Sequence, residues 1–183
     1  MKTCWLSLCL ILLAIFVAGC GGKKSPIVVT AKVSKSIYIA PISSPSYNAY
    51  TEIKNVSGKD IQYDYLIIGF VTDEFKGLKQ MVMKANKDGA IGGKGILAAG
   101  KTETHSNETN GWTYNLLADR GDSDIYLVAY YINDGKAASP LYSAKLPELK
   151  DLPQMDYLSK DGGGLQIQLE PNYDIDPAEL EKK

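Results

Sequence analysis

A chain of 183 residues with a formal charge of −1 has room for one domain of ordinary size and carries no basic surplus for gripping nucleic acid. Its cysteines, Cys4, Cys9 and Cys20, all lie near the start. That excludes a disulfide scaffold, a thiolate metal site and a cysteine nucleophile in the body of the chain.

The first segment is a class apart. Lys2 gives a positive start, and residues 5–18 (WLSLCLILLAIFVA) form an apolar run broken only by Ser7 and Cys9. The run is shorter than the roughly 20 apolar residues that span a bilayer. A positive end, an apolar middle and small residues before a cut are the build of a signal peptide. The residues VAGC at 17–20, leading into GGKKSP, resemble the lipobox of bacterial lipoprotein signals, with Val17 where leucine is usual. The resemblance implies a signal peptide over 1–19, cleavage after Gly19 and lipidation of Cys20. It also implies a tether over 20–26 and an extracytoplasmic place in a bacterial envelope. Gly21 after the cysteine points to the outer membrane if the cell is Gram-negative. A thiolate is the nucleophile such acylation requires. Several acyl chains, at ~0.8 kcal/mol per buried methylene, anchor where one chain is marginal.

From Ile27 the chain reads as strands between turns. IVVTAKV (27–33) and IYIAPI (37–42) are short and β-branched, and NAYTEIKNV (48–56) ends in the turn SGKD. Residues 61–71 (IQYDYLIIGFV) predict one strand with Ile61, Tyr63, Tyr65, Ile67 and Val71 on one face. Its other face begins wet at Gln62 and Asp64 and ends buried at Leu66, Ile68 and Phe70. Residues 73–85 hold a helical turn or two, interrupted by Gly77. SDIYLVAYYIN (123–133) is apolar on both faces, as a central strand is. It closes in the hairpin turn NDGK, and 139–146 is the return strand. Past Leu146 the character changes: 165–169 is either an edge strand or part of a partly ordered tail, and DPAELEKK reads as a short helix. The pattern predicts an all-β protein, an immunoglobulin-like antiparallel β-sandwich over 27–147, with 148–183 as a C-terminal extension. Ile61, Ile67, Leu127, Ala129 and Trp112 are its expected core, with Tyr63 and Tyr65 only partly covered.

The stretch EIKNVSGKDIQYDYLIIGF, then GILAAGKTETH, then IYLVAYYINDGK is similar to the plan of FxLYD-like and related immunoglobulin-like envelope domains. The similarity rests on an N-x-[ST]-x-K-x-[IL]-x-Y strand start, a glycine turn before a strand, and a late strand ending in Asp-Gly, and it covers residues 45–147. It implies a β-sandwich outside the cytoplasm and no enzyme activity.

Several motifs imitate chemistry. GILAAGKT (95–102) fits the Walker A pattern, in which backbone amides cradle phosphates. A phosphate loop follows a buried strand and opens a helix. Here NKDGAIGGK precedes it and ETHSNETNGW, without helical periodicity, follows. The expectation is a glycine turn and no cofactor. In TETHSN, Glu103, His105 and Asn107 share a strand face, but one histidine is fewer than a zinc site wants. No G-x-S-x-G elbow accompanies it. It reads as surface polar strand, with no catalytic residue and no metal. DRGDSD (119–124) lacks EF-hand spacing and reads as a solvated turn. Twelve tyrosines either form a binding face or reflect strand preference alone.

The function expected is a non-catalytic, lipid-anchored binding or assembly module. Its partners are the membrane, through Cys20, and an envelope protein or glycan. The alternative is an envelope hydrolase or nucleotide-binding enzyme using His105 or Lys101.

Overall fold

The computed structural model describes residues 24–37, 45–72, 90–91, 94–108, 124–154 and 163–180. Among them, strands dominate: β1 (Ile27–Ile37), β2 (Pro45–Asn55), β3 (Ile61–Tyr63), β4 (Tyr65–Thr72), β5 (Ala90–Ile91), β6 (Gly95–Leu97), β7 (Thr102–Glu108), β8 (Ile125–Asn133), β9 (Lys136–Ala137), β10 (Leu141–Lys145) and β11 (Leu165–Asn172). A 3-10 turn (Leu149–Asp151) and one short helix, α1 (Pro177–Leu180), complete them. The protein is all-β, as its alternating apolar residues predict.

Eight strands run in the order β5-β4-β8-β10-β11-β1-β2-β7, with β9 also on β8, while β3 and β6 form a separate pair. Every ladder between strands is antiparallel. The sheet curls because β11 changes partners along its length. Its first part pairs with β1 (Val33↔Leu165 to Val29↔Leu169) and its last part with β10 (Ser143↔Glu170 to Leu141↔Asn172). Both halves thus turn apolar faces onto one core. Val29, Ala31 and Ile53 from one half meet Leu66, Ile68, Leu127 and Tyr131 from the other. Residues 165–169 are therefore neither an edge nor a tail. They sit between β1 and β10, a position that depends on a pairing partner far away in sequence.

The stretch 61–71 needs correction. It is two strands, broken at Asp64, and the break inverts the parity of its side chains. Ile61 and Tyr63 join the main core, as do Leu66, Ile68 and Phe70, whereas Tyr65, Ile67 and Val71 belong to a second cluster on the opposite face. A single strand would have kept Ile61 and Ile67 together. The cause is the Asp64 carboxylate, which accepts the Asp134 amide at 2.6 Å and lies 3.3 Å from Lys94 Nζ. Asp64 also donates its own amide to the Ile132 carbonyl at 2.8 Å. The Asp134 amide bond, then Lys94, holds the Asp64 pKa below the usual carboxylate range.

The second cluster (Ile67, Val71, Val128, Tyr130, Ile132, Leu141) is covered by Ala178 of α1, with Ile175 packed against it. Asp176 starts α1 by accepting the Ala178 amide at 2.9 Å. β8 is buried on both faces and paired on both sides, as its sequence predicts. Asp134 and Gly135 both have positive φ (49° and 66°), the type I′ geometry of a tight hairpin. The return strand is interrupted between β9 and β10, where Ser139 Oγ takes the Tyr131 amide at 3.0 Å in place of a ladder carbonyl. Trp112 and residues 73–85 lie outside the described residues.

Candidate functional site

The inner face of β7 carries polar side chains where the rest of the core is apolar. Glu103 lies opposite Ile53 and His105 opposite Thr51 across the β2–β7 ladder. Neither is a surface side chain, Glu103 being 24% and His105 19% exposed. Two tyrosines from other strands close over the carboxylate. Tyr63 donates to Glu103 Oε1 at 3.2 Å and Tyr131 to Oε2 at 3.0 Å, and their rings meet tilted at 43°, 4.7 Å between centroids. Tyr63 reaches Glu103 by lying across Gly95, its partner in the β3–β6 ladder. A Cβ there would fall 2.5 Å from the Tyr63 hydroxyl.

The electrostatics follow from burial and from Glu103. Desolvation first, then the adjacent carboxylate, pushes both phenol pKa values up, strongly for Tyr131. The phenols therefore stay protonated and act as donors to a charged acceptor. His105 Nε2 lies 3.6 Å from Glu103 Oε2, beyond hydrogen-bond range, and has no hydrogen-bond partner among the described residues. Thr51 Oγ1, on a fully buried residue, is likewise unpartnered. Among the described residues no hydroxyl is bonded to Nε2. What the cluster offers is a clamped carboxylate beside two unused polar atoms.

A second polar centre lies at the end of β2, the strand that pairs with β7. Asn55 is fully buried, and its side chain uses all its hydrogen-bonding capacity. Nδ2 donates to Lys59 O (2.7 Å) and Leu97 O (2.9 Å), and Oδ1 accepts the Ser57 amide (2.9 Å) and hydroxyl (2.8 Å). This is the Asn of the N-x-[ST]-x-K motif, and it staples the turn after β2 to the end of β6.

That staple explains the phosphate-loop imitation. GILAAGKT is β6, a turn and the start of β7. Its amides are engaged: Ala99 donates to Asp60 Oδ1 (2.9 Å), Gly100 to Asn55 O (3.1 Å) and Lys101 to Ala98 O (3.0 Å). A phosphate cradle needs such amides unspent and a helix behind them. Gly100, at φ +72°, makes the turn, and Lys101 is exposed.

The structure brings Glu103 and His105 together with Thr51, Tyr63 and Tyr131. The last three follow from no local motif, since they come from β2, β3 and β8. Lys101 stands apart in its turn. Cys20, residues 119–123 of DRGDSD and the side chain of Asn107 lie outside the described residues. A cleft of about 320 Å³ beside Pro26 is lined mainly by Ala137, Pro140, Tyr173, Ile175 and Pro177. Among the described residues there is no cluster of three or more His, Cys, Asp or Glu, and no helix is long and apolar enough to cross a membrane. Compared with protein families, with curated proteins and with solved structures, the chain matches none.

Proposed function

We propose that the chain is a lipid-anchored module on the extracytoplasmic side of a bacterial envelope, holding an envelope protein or glycan without transforming it. The curled sheet fits an immunoglobulin-like β-sandwich, its halves closing on one core with β11 passing between them.

The observation that carries this reading is the polarity of the fold. The stretch following Cys20 joins the domain at one end, where Ser25 Oγ bonds to the Tyr142 hydroxyl and to the Ile27 carbonyl. Tyr142 also donates to Ile27 O at 3.2 Å. The residues flanking 38–44, 109–123 and 155–162 gather at the other end, at the pairings Ile37↔Pro45, Asn48↔Glu108 and Lys35↔Gln154. Leu146, Leu149 and Leu152 close that end of the core. A domain tied at one end presents the other to partners.

Metabolic labelling with a fatty-acid analogue tests the anchor. The wild type is expected to take label and Cys20→Ala to take none and stay uncleaved at this site. An unlabelled wild type, or equal labelling of the variant, refutes it. Calorimetry with magnesium-ATP is expected to show no binding. A micromolar affinity abolished by Lys101→Ala would restore the nucleotide reading.

A further inference from the structure

We infer that the tether end of the domain is a seat for anionic lipid headgroups, made of Lys24, Lys59, Lys101 and Val56. The inference rests on the lipidation of Cys20 proposed above and adds where the domain lies relative to the bilayer.

Two backbone contacts and one side-chain contact assemble the patch. The Val56 amide donates to Pro26 O at 2.9 Å, next to the tether. The Asn55 amide donates to Lys101 O at 2.9 Å, and its side chain holds Lys59 O at 2.7 Å. Segments from three parts of the chain are thus pinned around one buried asparagine, and each brings an exposed lysine: Lys24, Lys59 and Lys101. None of the three forms an ion pair among the described residues. Between them Val56 is 48% exposed. Of the carboxylates at this end, Asp60 accepts the Ala99 amide at 2.9 Å, and Asp176, across the cleft beside Pro26, accepts the Ala178 amide at 2.9 Å.

Chain length places this patch. An extended chain covers at most about 3.5 Å per residue, so the stretch from Cys20 to Pro26 reaches about 20 Å. A lipid on Cys20 therefore keeps the Pro26 end within about 20 Å of the bilayer. Lysines near an anionic surface gain roughly fivefold each in residence, and the attraction is screened within about a Debye length. Unpaired lysines around an exposed valine suit phosphate headgroups above an apolar boundary. Lys101, which imitates a nucleotide-binding lysine in sequence, meets phosphate of another kind.

The test uses the full-length gene product purified from membranes and reconstituted in phosphatidylcholine vesicles with or without phosphatidylglycerol. A fluorophore on Val56→Cys is compared with one on Lys150→Cys, at the opposite end, for quenching by lipids spin-labelled near the headgroup. Stronger quenching at 56 than at 150, greater with phosphatidylglycerol and lower in high salt, is expected. Lys24→Gln, Lys59→Gln and Lys101→Gln together should cut the seated-to-unseated ratio about a hundredfold. Circular dichroism on each variant checks that the sheet is intact, and the substituted side chains are exposed. Mass spectrometry of the same sample reads Cys20. Equal quenching at both positions with lipid present on Cys20 overturns the seat alone. Absence of that lipid overturns the anchor and the seat with it.

Discussion

Four residues apart on β2, Asn55 and Thr51 both point into the core, and their hydrogen-bond accounts end differently. Asn55 spends every donor and acceptor it owns, and its neighbours Ser57, Lys59, Leu97, Gly100 and Lys101 are fixed by it. Thr51 and the facing His105 leave Oγ1 and Nε2 unspent, beside a carboxylate held by two phenols. A buried polar group with a closed account is a rivet: its removal strands its partners. An open account marks a place where the fold carries a cost it has not offset, and such places are where a guest or a change of protonation is felt.

The largest effect belongs to the rivet. Asn55→Ala takes the side-chain partner from the Leu97 carbonyl and the Ser57 amide, leaves the Lys59 carbonyl with the Ser57 hydroxyl alone, and is expected to cost about 3 kcal/mol in a denaturant melt. A loss under about 0.5 kcal/mol would mean that water replaces the amide and that the comparison fails.

Alkaline titration comes next. The pKa values of Tyr63, Tyr131 and Tyr142 are all raised in the folded state, Tyr142 to about 12, chiefly by desolvation. A raised folded pKa favours the protonated form. The associated stability is therefore intact below the unfolded phenol value near 10 and is lost as pH climbs above it. Tyr142 alone accounts for about 2–3 kcal/mol when the titration is complete. Glu103→Gln should bring the Tyr63 and Tyr131 transitions to lower pH in tyrosinate absorbance. If the spectrum does not move, Glu103 is not what the phenols face.

Gly95→Ala sharpens the cluster side. The new Cβ meets the Tyr63 hydroxyl, so the ring must swing away from Glu103, at a cost of about 1.5 kcal/mol for the lost charged hydrogen bond. Unchanged stability together with an unchanged Tyr63 titration would show that the ring was never held there.

The smallest effect has the opposite sign. Thr51→Val exchanges an unpartnered hydroxyl for a methyl and is expected to be neutral or stabilising by up to about 1 kcal/mol. Destabilisation by more than that would reveal that the hydroxyl has a partner, and that the two polar centres are alike.

Much of the sheet was legible in the residues themselves. The alternation in β1 and β2, the two-faced apolar run of β8 and the Asp-Gly hairpin all report local physics, so a local reading finds them. Ile61, Ile67, Leu127 and Ala129 are buried as their patterns imply, yet Ile67 is buried under α1 rather than in the main core. The parity switch at Asp64 was hidden because its cause is the amide of Asp134, supplied by another strand. The same limit applies to the cluster. Glu103 and His105 show their shared face in the spacing, but the phenols that cover them arrive by tertiary packing. The glycine turn was readable as a turn, while the reason its amides are occupied lay in Asn55 and Asp60, outside the motif.

The placement of β11 has a consequence for the order in which the molecule is made. A chain that has not yet supplied residues 165–172 has two unfilled rims, along β1 and along β10, where the finished sheet has none. Early strands must wait for a late one, and pairing across such sequence distances is slow. Until it arrives, the open rims are templates on which another chain can pair wrongly. Joining the two halves of the sheet is thus a late event, and the growing polypeptide stays unfastened, threadable and in need of protection until β11 is delivered.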